Sequence, residues 1–492
     1  MLSRRNFITS AAGAVAGSIL PAWARDDRQI RTVSIFHTTD LHGNVLPAST
    51  YNGITDVGGL ARCASQIKQW QKASPHNLLI DVGDVYQGTI AGYQSQGSMM
   101  IELFNKLNYD AWVMGNHEFD WGLEVVADAA QRSNMPIITG NVTIDGKASG
   151  KIDSGPFGKV KPWIIKDLGG FRIGIIGLIT PGLPYWLRPE LRQELSVFAP
   201  VESLKQSVAE LQSEKVDAIV VAGHMGWKSN DDFANPIREM IKQVPGVDLY
   251  IGGHTHQDKA VWFMENTLCT QSNYFGIHCG RVDLTFDRES RKLIDRRAWT
   301  VLMDDRIALD PIVIDTARPH LEKADKRRAE VIGNIPERIS AHGSASPFWA
   351  MLCKAFLAAA AKEGMPADGV FHGTFGTPDV MPGVKTIADA WTWIPYDNWL
   401  VNAEFTGEQL IAIITESKKS AHSDRALYGI EESTIEPTKT YRILINSYDG
   451  QSGGRRLMTL REIISSPSTK SKQLKVNTRE ALITWIMDNY PE

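Results

Sequence analysis

The chain has 492 residues, which is too long for one hydrophobic core, so two or three domains are expected. Hydrophobic residues make up 43% of the sequence, an ordinary proportion for a globular protein in water. The formal net charge is −4 and the isoelectric point is close to 6.3, so the basic surplus typical of nucleic-acid-binding proteins is missing. These values exclude nucleic acid as an expected partner.

The first 24 residues have the features of a bacterial export signal in the usual order. The twin arginine Arg4-Arg5 precedes an Ala- and Gly-rich apolar segment at 11–20, and Ala22-Trp23-Ala24 has the pattern of a cleavage site. These features resemble a twin-arginine signal peptide. The apolar segment is too short to span a bilayer, and no later stretch reaches ~18 apolar residues. We therefore expect a soluble, periplasmic or secreted protein that uses the twin-arginine export machinery and keeps no stable membrane anchor.

The four cysteines form no Cys-x-x-Cys motif, so a structural zinc site is not expected. An exported protein meets an oxidising compartment, in which disulfides persist. Cys269 and Cys279 flank Tyr274-Phe275-Gly276, and a hairpin could close this spacing, so the two are candidates for a disulfide. Cys63 and Cys353 lie in amphipathic patterns and are expected to be buried thiols.

Strand-like apolar runs alternate with helical periods through the first 250 residues. Predicted strands lie at 32–36, 78–80, 111–114, 171–178, 218–222 and 249–251. Predicted helices lie at 60–70, 99–107, 201–211 and 236–244. This alternation predicts a layered α/β domain with much parallel pairing, and residues 281–302 are expected to close it as an antiparallel pair.

A charged segment follows at 306–341 and predicts a linker that contains a solvated helix. A second α/β pattern begins after it. Its expected elements are a helix at 348–361, a strand at 369–371, a helix opened by the capping box 406–409, a strand at 441–446 and a last helix capped by Asn477. The expected plan is a signal at 1–24, a first domain at 30–305, a linker at 306–341 and a second domain at 342–492.

Five strand ends share one plan, in which a glycine stands beside side chains that can bind a metal ion. The side chains are Asp40 and His42, Asp84, Asn116 and His117, His224, and His254 and His256. The carboxyl ends of parallel strands meet at one edge of a sheet, where α/β folds place their sites. The glycines allow the backbone to turn sharply and to approach closely, and they are Gly43, Gly83, Gly115, Gly223 and Gly253.

The donor set without His117 consists of two Asp, four His and one Asn. This mixture of oxygen and nitrogen, with no thiolate, suits Mn, Zn, Fe or Co rather than Ca. The donors are too many for one ion. They fit two divalent ions that share one carboxylate, an arrangement that is used for in-line displacement at phosphorus.

These residues stand in the order and spacing of the calcineurin-like metallophosphoesterases. The motifs are Asp40-x-His42, Gly83-Asp84, Gly115-Asn116-His117-Glu118, Gly223-His224 and Gly253-His254-Thr255-His256. The longer motifs at 39–44 and 115–122 resemble the 5′-nucleotidase / UDP-sugar hydrolase / 2′,3′-cyclic phosphodiesterase branch. The resemblance implies a four-layer metallophosphoesterase domain, with sheets flanked by helices, and an α/β C-terminal domain of the 5′-nucleotidase type that binds substrate.

The resemblance also implies a role for each site residue. One metal ion would be held by Asp40, His42 and His256 and the other by Asn116, His224 and His254, with Asp84 bridging. The ions would convert a bound water to the hydroxide that attacks a nucleotide or related phosphate ester. His117 would contact the phosphoryl group with Asn116 and stabilise developing charge, while Asp120 would orient its imidazole. For Glu118 the most that is expected is a hydrogen bond to a ligand residue.

The second domain departs from the family where the substrate is expected to bind. The family has Asn-x-Gly-Gly-x-Arg, whose arginine holds the phosphate, but residues 372–377 of this chain contain no arginine. Where the family has Ser-Gly-Gly-Asp-Gly, this chain has 452–456, Ser-Gly-Gly-Arg-Arg. Arg455 or Arg456 is a candidate for the missing cation, and a solvated turn is the alternative. Candidates for a base-stacking aromatic are Phe375, Tyr396 and Tyr448, with an ordinary core role as the alternative.

Two other functions stay open. A related thiosulfohydrolase has the same fold, metals and signal and acts on a carrier-bound sulfur substrate, but the Gly115–Asp120 motif favours the nucleotidase branch. A non-catalytic periplasmic binding module would keep the fold alone. The complete ligand set together with His117 and Asp120 argues against it.

Overall fold

The computed structural model of the protein describes residues 29–144, 160–187, 191, 195–343, 345–374, 377–419 and 425–491. The predicted signal peptide at 1–24 therefore lies outside the described residues. No helix in the described ranges is both long and apolar enough to cross a membrane.

The first part of the chain alternates strands and helices, as the sequence predicts. Its strands are β1 (Ile30–Thr38), β2 (Asn77–Asp81), β3 (Ala111–Trp112), β4 (Ile137–Ile138), β5 (Val142–Ile144), β6 (Val160–Lys161), β7 (Trp163–Leu168), β8 (Phe171–Ile179), β9 (Leu195–Val197), β10 (Ala218–His224), β11 (Leu249–Gly252), β12 (Asp258–Met264), β13 (Thr267–Ser272), β14 (His278–Asp287) and β15 (Leu293–Leu302). Its helices are α1 (Leu60–Ala73), α2 (Ile90–Ser95), α3 (Ser98–Leu107), α4 (Leu123–Arg132), α5 (Pro200–Ser213) and α6 (Ile237–Gln243).

Two large sheets pack face to face and are covered by helices on their outer sides. One has the strand order β15-β14-β1-β2-β3-β4-β6 and the other the order β12-β13-β11-β10-β8-β7. Successive side chains of a strand point to opposite faces, so Val33 and Ile35 enter the core between the sheets while Phe36 packs under the outer helices. Ile175 and Ile176 divide in the same way on the second sheet. The predicted four-layer arrangement is confirmed.

The pairing brings the predicted strand ends to a common edge. β1 pairs with β2 in parallel, with Thr38 opposite Asp81, and β2 pairs with β3 in parallel. On the other sheet β10 and β11 are parallel, with Gly223 opposite Gly252. The antiparallel pair expected at 281–302 is formed by β14 and β15. The loops that follow β1, β2, β3, β10 and β11 therefore lie together.

Helix α7 (Pro311–Arg328) corrects the expectation of a solvated linker helix. Val313, Ala317 and Ala324 are buried, and the helix packs against α2 and α3 of the first domain. Its charged residues occupy the remaining face, so the high charge of the segment conceals a narrow apolar stripe. The Asp310 side chain caps the helix by accepting the N–H groups of residues 312 and 313.

The last part of the chain forms a smaller α/β unit. Its strands are β16 (Val331–Ile335), β17 (Gly369–His372), β18 (Gly383–Thr386), β19 (Trp399–Thr406), β20 (Ala426–Tyr428), β21 (Thr440–Asn446) and β22 (Lys472–Asn477). Its helices are α8 (Pro347–Lys362), α9 (Ile387–Trp393), α10 (Gly407–Lys419), α11 (Ser447–Gly450), α12 (Met458–Ile464) and α13 (Thr478–Asn489). A five-stranded sheet, β20-β17-β21-β19-β22, carries the unit. Both predicted caps form. The side chains of Thr406 and Gln409 each accept the backbone N–H of the other residue, and the Asn477 side chain accepts the N–H of Glu480.

The predicted disulfide between Cys269 and Cys279 is wrong, since both thiols are free and buried in the structure. Cys269 lies on β13 in the second sheet, whereas Cys279 lies on β14 in the first sheet. The turn between them passes from one sheet to the other and closes no hairpin, so the two side chains enter different cores. The expected burial of Cys63 and Cys353 is confirmed.

Candidate metal centre

Two groups of side chains that can bind a metal ion meet at the shared edge. The first ligand group is Asp40, His42 and His256, and the second ligand group is Asp84, His224 and His254. Within each group the donor atoms all lie within 4.8 Å of one another. In the first group His42 Nε2 is 3.1 Å from His256 Nε2, which is 3.4 Å from Asp40 Oδ1. Four separate strand ends, those of β1, β2, β10 and β11, thus supply one compact donor set.

Asp84 lies between the two groups. Its Oδ2 is 3.1 Å from Nε2 of His224 in the second group and 3.8 Å from Nε2 of His42 in the first. The side chain is buried, and its other oxygen accepts the backbone N–H of His117 at 2.9 Å. This position suits the bridging role that the family resemblance implies for Asp84.

Asn116 supplies the clearest sign that a cation belongs here. Its Oδ1 is buried and has no hydrogen-bond partner within the described part of the chain. A buried amide oxygen without a partner is costly, and coordination to a metal ion would satisfy it. Together with imidazole nitrogens and carboxylate oxygens, the donor set fits divalent Mn, Zn, Fe or Co.

Three of the ligand imidazoles are oriented by partners on their far side. In each case Nδ1 faces the partner and Nε2 is left for the site, which fixes the orientation that a metal ligand needs. The partners are the Gln87 carbonyl for His42 at 2.7 Å, the Val82 carbonyl for His224 at 2.7 Å, and the Tyr51 hydroxyl for His256 at 2.9 Å.

Tyr51 is a site residue that the sequence did not indicate. Its ring stacks on Tyr274 with centroids 4.4 Å apart, although 68% of the Tyr51 residue is exposed. It stands on a surface loop more than two hundred positions before His256, so only the folded structure brings the two together.

The backbone at the ligands is strained. Five ligand residues that are not glycine adopt φ between 48° and 71°: Asp40, His42, Asp84, His254 and His256. Conformations of this kind are costly for residues with a Cβ and persist at sites where the surroundings hold them. Part of the support is direct, because Asp40 accepts the backbone N–H of His254 at 3.0 Å with both carboxylate oxygens.

The glycines beside the ligands allow the strand ends to touch, as predicted. A Cβ at Gly83 would lie 2.6 Å from the Gly115 nitrogen and 2.8 Å from Nδ1 of His224. A Cβ at Gly115 would overlap the Asp84 carboxylate. Neither strand end has room for a larger residue.

Glu118 makes the expected hydrogen bond to a ligand residue and two further bonds to the backbone. Its buried carboxylate accepts three backbone N–H groups, from Asp84 at 2.9 Å, Val85 at 2.7 Å and Gly115 at 2.5 Å. Burial and the charge of Asp84 raise the pKa of Glu118 to about 7. The side chain links the loop after β2 to the loop after β3, and so fixes the position of Asp84 relative to Asn116.

His117 and Asp120 pair as predicted, with His117 Nδ1 2.7 Å from Asp120 Oδ2. Burial alone would lower the pKa of His117, but the carboxylates of Asp120 and Asp84 raise it to about 10. The two carboxylates thus favour the protonated form of the imidazole. Tyr396 of the C-terminal unit lies parallel to it, with ring centroids 6.5 Å apart and an interplanar angle of 11°.

Arg455 and Tyr448 are the other candidates for substrate contact that the structure describes. The Arg455 guanidinium is 5.2 Å from the ring centroids of Tyr185 and Phe233, which belong to loops of the first domain. The Tyr448 hydroxyl accepts a bond from Arg456 at 3.2 Å. Phe375 lies outside the described residues. Tyr185 and Phe233 were not singled out from the sequence, since isolated aromatics in loops carry no pattern.

Comparison with known proteins agrees with the geometry. Residues 33–258 match the family model described as calcineurin-like phosphoesterase. The 5′-nucleotidase of Bos taurus is 33% identical over 230 residues, which cover 46% of this chain and 38% of that protein. The chain spans less than two thirds of the length of the curated relatives that it matches.

Two solved structures share the fold over nearly the whole chain. A putative 5′-nucleotidase from Staphylococcus aureus has a TM-score of 0.77 at 20% identity, covering 94% of this chain and 97% of that one. The sulfate thiohydrolase SoxB from a Thermus species has a TM-score of 0.64 at 14% identity, covering 93% and 94%. At these identities the likeness concerns the fold alone. Residues 33–258 thus match the calcineurin-like phosphoesterase model, and the α/β domain that follows them shares its fold with the Staphylococcus aureus structure.

Proposed function

We propose that the chain is a metal-dependent phosphohydrolase of the 5′-nucleotidase type, acting on nucleotides or related phosphate esters. The observation that carries the proposal is the donor set itself. Two ligand groups lie side by side with the buried Asp84 between them, and the His117–Asp120 pair stands next to that carboxylate.

We infer that two divalent ions occupy the centre. Asp40, His42 and His256 would hold one, Asn116, His224 and His254 would hold the other, and Asp84 would bridge. When bound, such a pair of ions activates water and neutralises charge at phosphorus. The unpartnered Oδ1 of Asn116 supports its place among the ligands.

His117 acts on the substrate in this proposal. Its Nδ1 is engaged by Asp120, so Nε2 is the atom that donates to a phosphoryl oxygen. A positioned cation of this kind stabilises the negative charge that develops in the transition state. The backbone N–H of His117 also bonds Asp84, so the position of the imidazole is coupled to the ligand between the two groups.

We further propose that the mature protein acts outside the cytoplasm after twin-arginine export. The support is the order of signal features in residues 1–24. A fusion of residues 1–30 to a reporter that must fold before export tests it. Replacing both Arg4 and Arg5 by Lys should abolish export, and unchanged export would contradict the route.

The test of the activity is a substrate panel measured with Mn, Zn and Co. The expected result is phosphate release from AMP and simpler phosphomonoesters at rates that depend on added metal. A protein that binds two ions and cleaves no phosphoester would instead support a non-catalytic binding module.

A thiosulfohydrolase is the second candidate, because its fold also covers both domains and residues 372–374 and 377 of this chain offer no arginine. Sulfate release from a thiosulfonate-bearing carrier, compared with phosphate release from AMP, separates the two activities. The proposed nucleotidase activity fails if only sulfate is released.

A further inference from the structure

The turn at residues 452–455 carries an arginine in an unusual backbone conformation. Four consecutive residues have positive φ: 116° at Ser452, 53° at Gly453, 69° at Gly454 and 67° at Arg455. Glycine accepts such angles readily, whereas arginine does not. Strained residues of this kind gather at ligand sites, where the surrounding structure holds them.

Arg455 and Arg461 share one aromatic ring. The Arg455 guanidinium lies 5.2 Å from the centroids of both Tyr185 and Phe233, and that of Arg461 lies 4.6 Å from Tyr185. We call these four residues the arginine cluster. A guanidinium over a ring face is held in a fixed plane, with its N–H groups directed away from the ring.

The two cations have no carboxylate partner anywhere in the described ranges of the chain. Arg461 bonds only the carbonyl of Gln451, at 3.4 Å, and burial lowers its pKa. The two guanidinium carbons lie no further apart than the sum of their distances to the shared Tyr185 ring, so the like charges repel, and an anion that contacts both would reduce the repulsion. Because planar guanidinium groups bind phosphate through paired hydrogen bonds, phosphate is the anion that suits the cluster best.

The cluster lies one aromatic ring away from the metal ligands. The Trp186 ring is 5.2 Å from the ring of the ligand His254 and 6.0 Å from that of Phe233, measured between centroids. His117 is closer to the ligands, because its ring centroid is 5.3 Å from that of His42. The cluster is placed to meet a different part of the same molecule.

We propose that the arginine cluster binds a second phosphate group of the substrate, so that the substrate class is phosphate esters with a further phosphate beyond the one that is cleaved. The inference rests on the proposed phosphohydrolase function. It assigns recognition to the C-terminal domain through Arg455 and Arg461, and it replaces the idea that Arg455 holds the scissile phosphate.

The kinetic test uses the full-length, metal-loaded protein with propyl phosphate and propane-1,3-diol bisphosphate, which differ only in the second phosphate. The variant Arg455→Asn with Arg461→Met suits the backbone at 455 and keeps the packing at 461. We expect wild type to prefer the bisphosphate at least tenfold in kcat/KM. The double variant should lose at least tenfold more on the bisphosphate than on the monoester, mainly through KM.

Arg306→Gln is the matched control, because it removes one exposed guanidinium paired with Asp304 and should leave the preference unchanged. The single Arg461→Met variant keeps the strained turn intact and should show part of the same loss. Equal losses on both substrates, or a wild type without preference, would overturn the proposal.

A binding test separates failure of this inference from failure of the enzymatic proposal. Propane-1,3-diphosphonate and propylphosphonate are not hydrolysed, and calorimetry with metal-loaded protein measures their Kd values directly. The diphosphonate should bind wild type at least tenfold more tightly, and the double variant should lose that difference. If the difference is found in a protein that cleaves nothing, only the enzymatic proposal fails; if cleavage occurs without the difference, only the cluster assignment fails.

Discussion

The candidate site has two walls, the metal ligands of the first domain and the C-terminal residues near them such as Tyr396, and the two are built by different physical means. On the metal side, each donor stands directly after a buried strand, and Asp40, His42, Asp84 and His224 are almost completely buried. On the C-terminal side, Tyr396 is 48% exposed and Arg455 stands on a strained turn. Packing and backbone hydrogen bonds hold the donors of the buried wall, whereas the exposed wall offers rings and cations that different ligands can meet. Under the proposals above, chemistry and recognition belong to separate domains.

The largest expected effect is at Asp84. In Asp84→Asn the carboxylate between the ligand groups is lost, so metal content should fall and kcat should drop on the order of a thousandfold, since metal ions contribute several kcal/mol. Asp295→Asn, which alters a surface pair with Arg297, is the control. Metal analysis and phosphate release provide the readout, and full activity in Asp84→Asn would remove the carboxylate from the proposed centre.

His117 is expected to separate chemistry from metal binding on the same wall. His117→Asn should keep the bound metal, because the imidazole is outside both ligand groups, and should lower kcat by about 10²–10⁴. His342→Asn serves as the control, since that side chain is 79% exposed and lies in the second domain. Loss of metal in His117→Asn would make the residue a ligand instead.

A change at Glu118 tests whether the wall of metal ligands depends on the hydrogen bonds between this carboxylate and the backbone. Glu118→Gln replaces one acceptor by an amide donor facing backbone N–H groups, which should weaken metal affinity about 10–100-fold and cost about 1–3 kcal/mol of stability. Metal titration and thermal unfolding measure both, with the exposed Glu124→Gln as the reference. Unchanged metal affinity would mean that the two loops hold their positions without this carboxylate.

Tyr396 should give the smallest effect and one of a different kind. Tyr396→Ala removes a ring that lies parallel to His117 and that is a candidate for stacking on the substrate base. Loss of about 1 kcal/mol of stacking between this ring and the base predicts a roughly fivefold rise in KM. The kcat value should stay within about twofold, measured on AMP beside Tyr51→Phe as a metal-side comparison. A large fall in kcat would show that Tyr396 takes part in the chemical step as well as in substrate binding.

The metal side could be predicted from the sequence because its signal is local. Each set of donors follows an apolar run and has a glycine beside it, and parallel pairing places such strand ends together, as at Thr38 opposite Asp81. The second-domain helix caps were predictable for the same reason. Glu118 was visible only as part of a motif, because two of its three backbone hydrogen bonds come from groups more than thirty positions away.

Other features depend on tertiary contacts that no local pattern records. The contact of Tyr51 with His256 and the stacking of Arg455 on Tyr185 join distant loops. The spacing of Cys269 and Cys279 predicts a disulfide wrongly, because it does not show that the chain passes from one sheet to the other between them. The buried face of α7 consists of small side chains at Ala317 and Ala324 among many charges, which weakens its apolar signal.

The left-handed backbone at Asp40, His42, Asp84, His254 and His256 has a consequence for the motions of the domain. Each such residue stores on the order of 1 kcal/mol, so the five together approach the free energy that separates a folded domain from its unfolded chain. Release of this strain favours local opening of the ligand loops over opening of the sheets behind them. Amide hydrogen exchange in these loops and dissociation of a bound metal ion should therefore be governed by the same fluctuation.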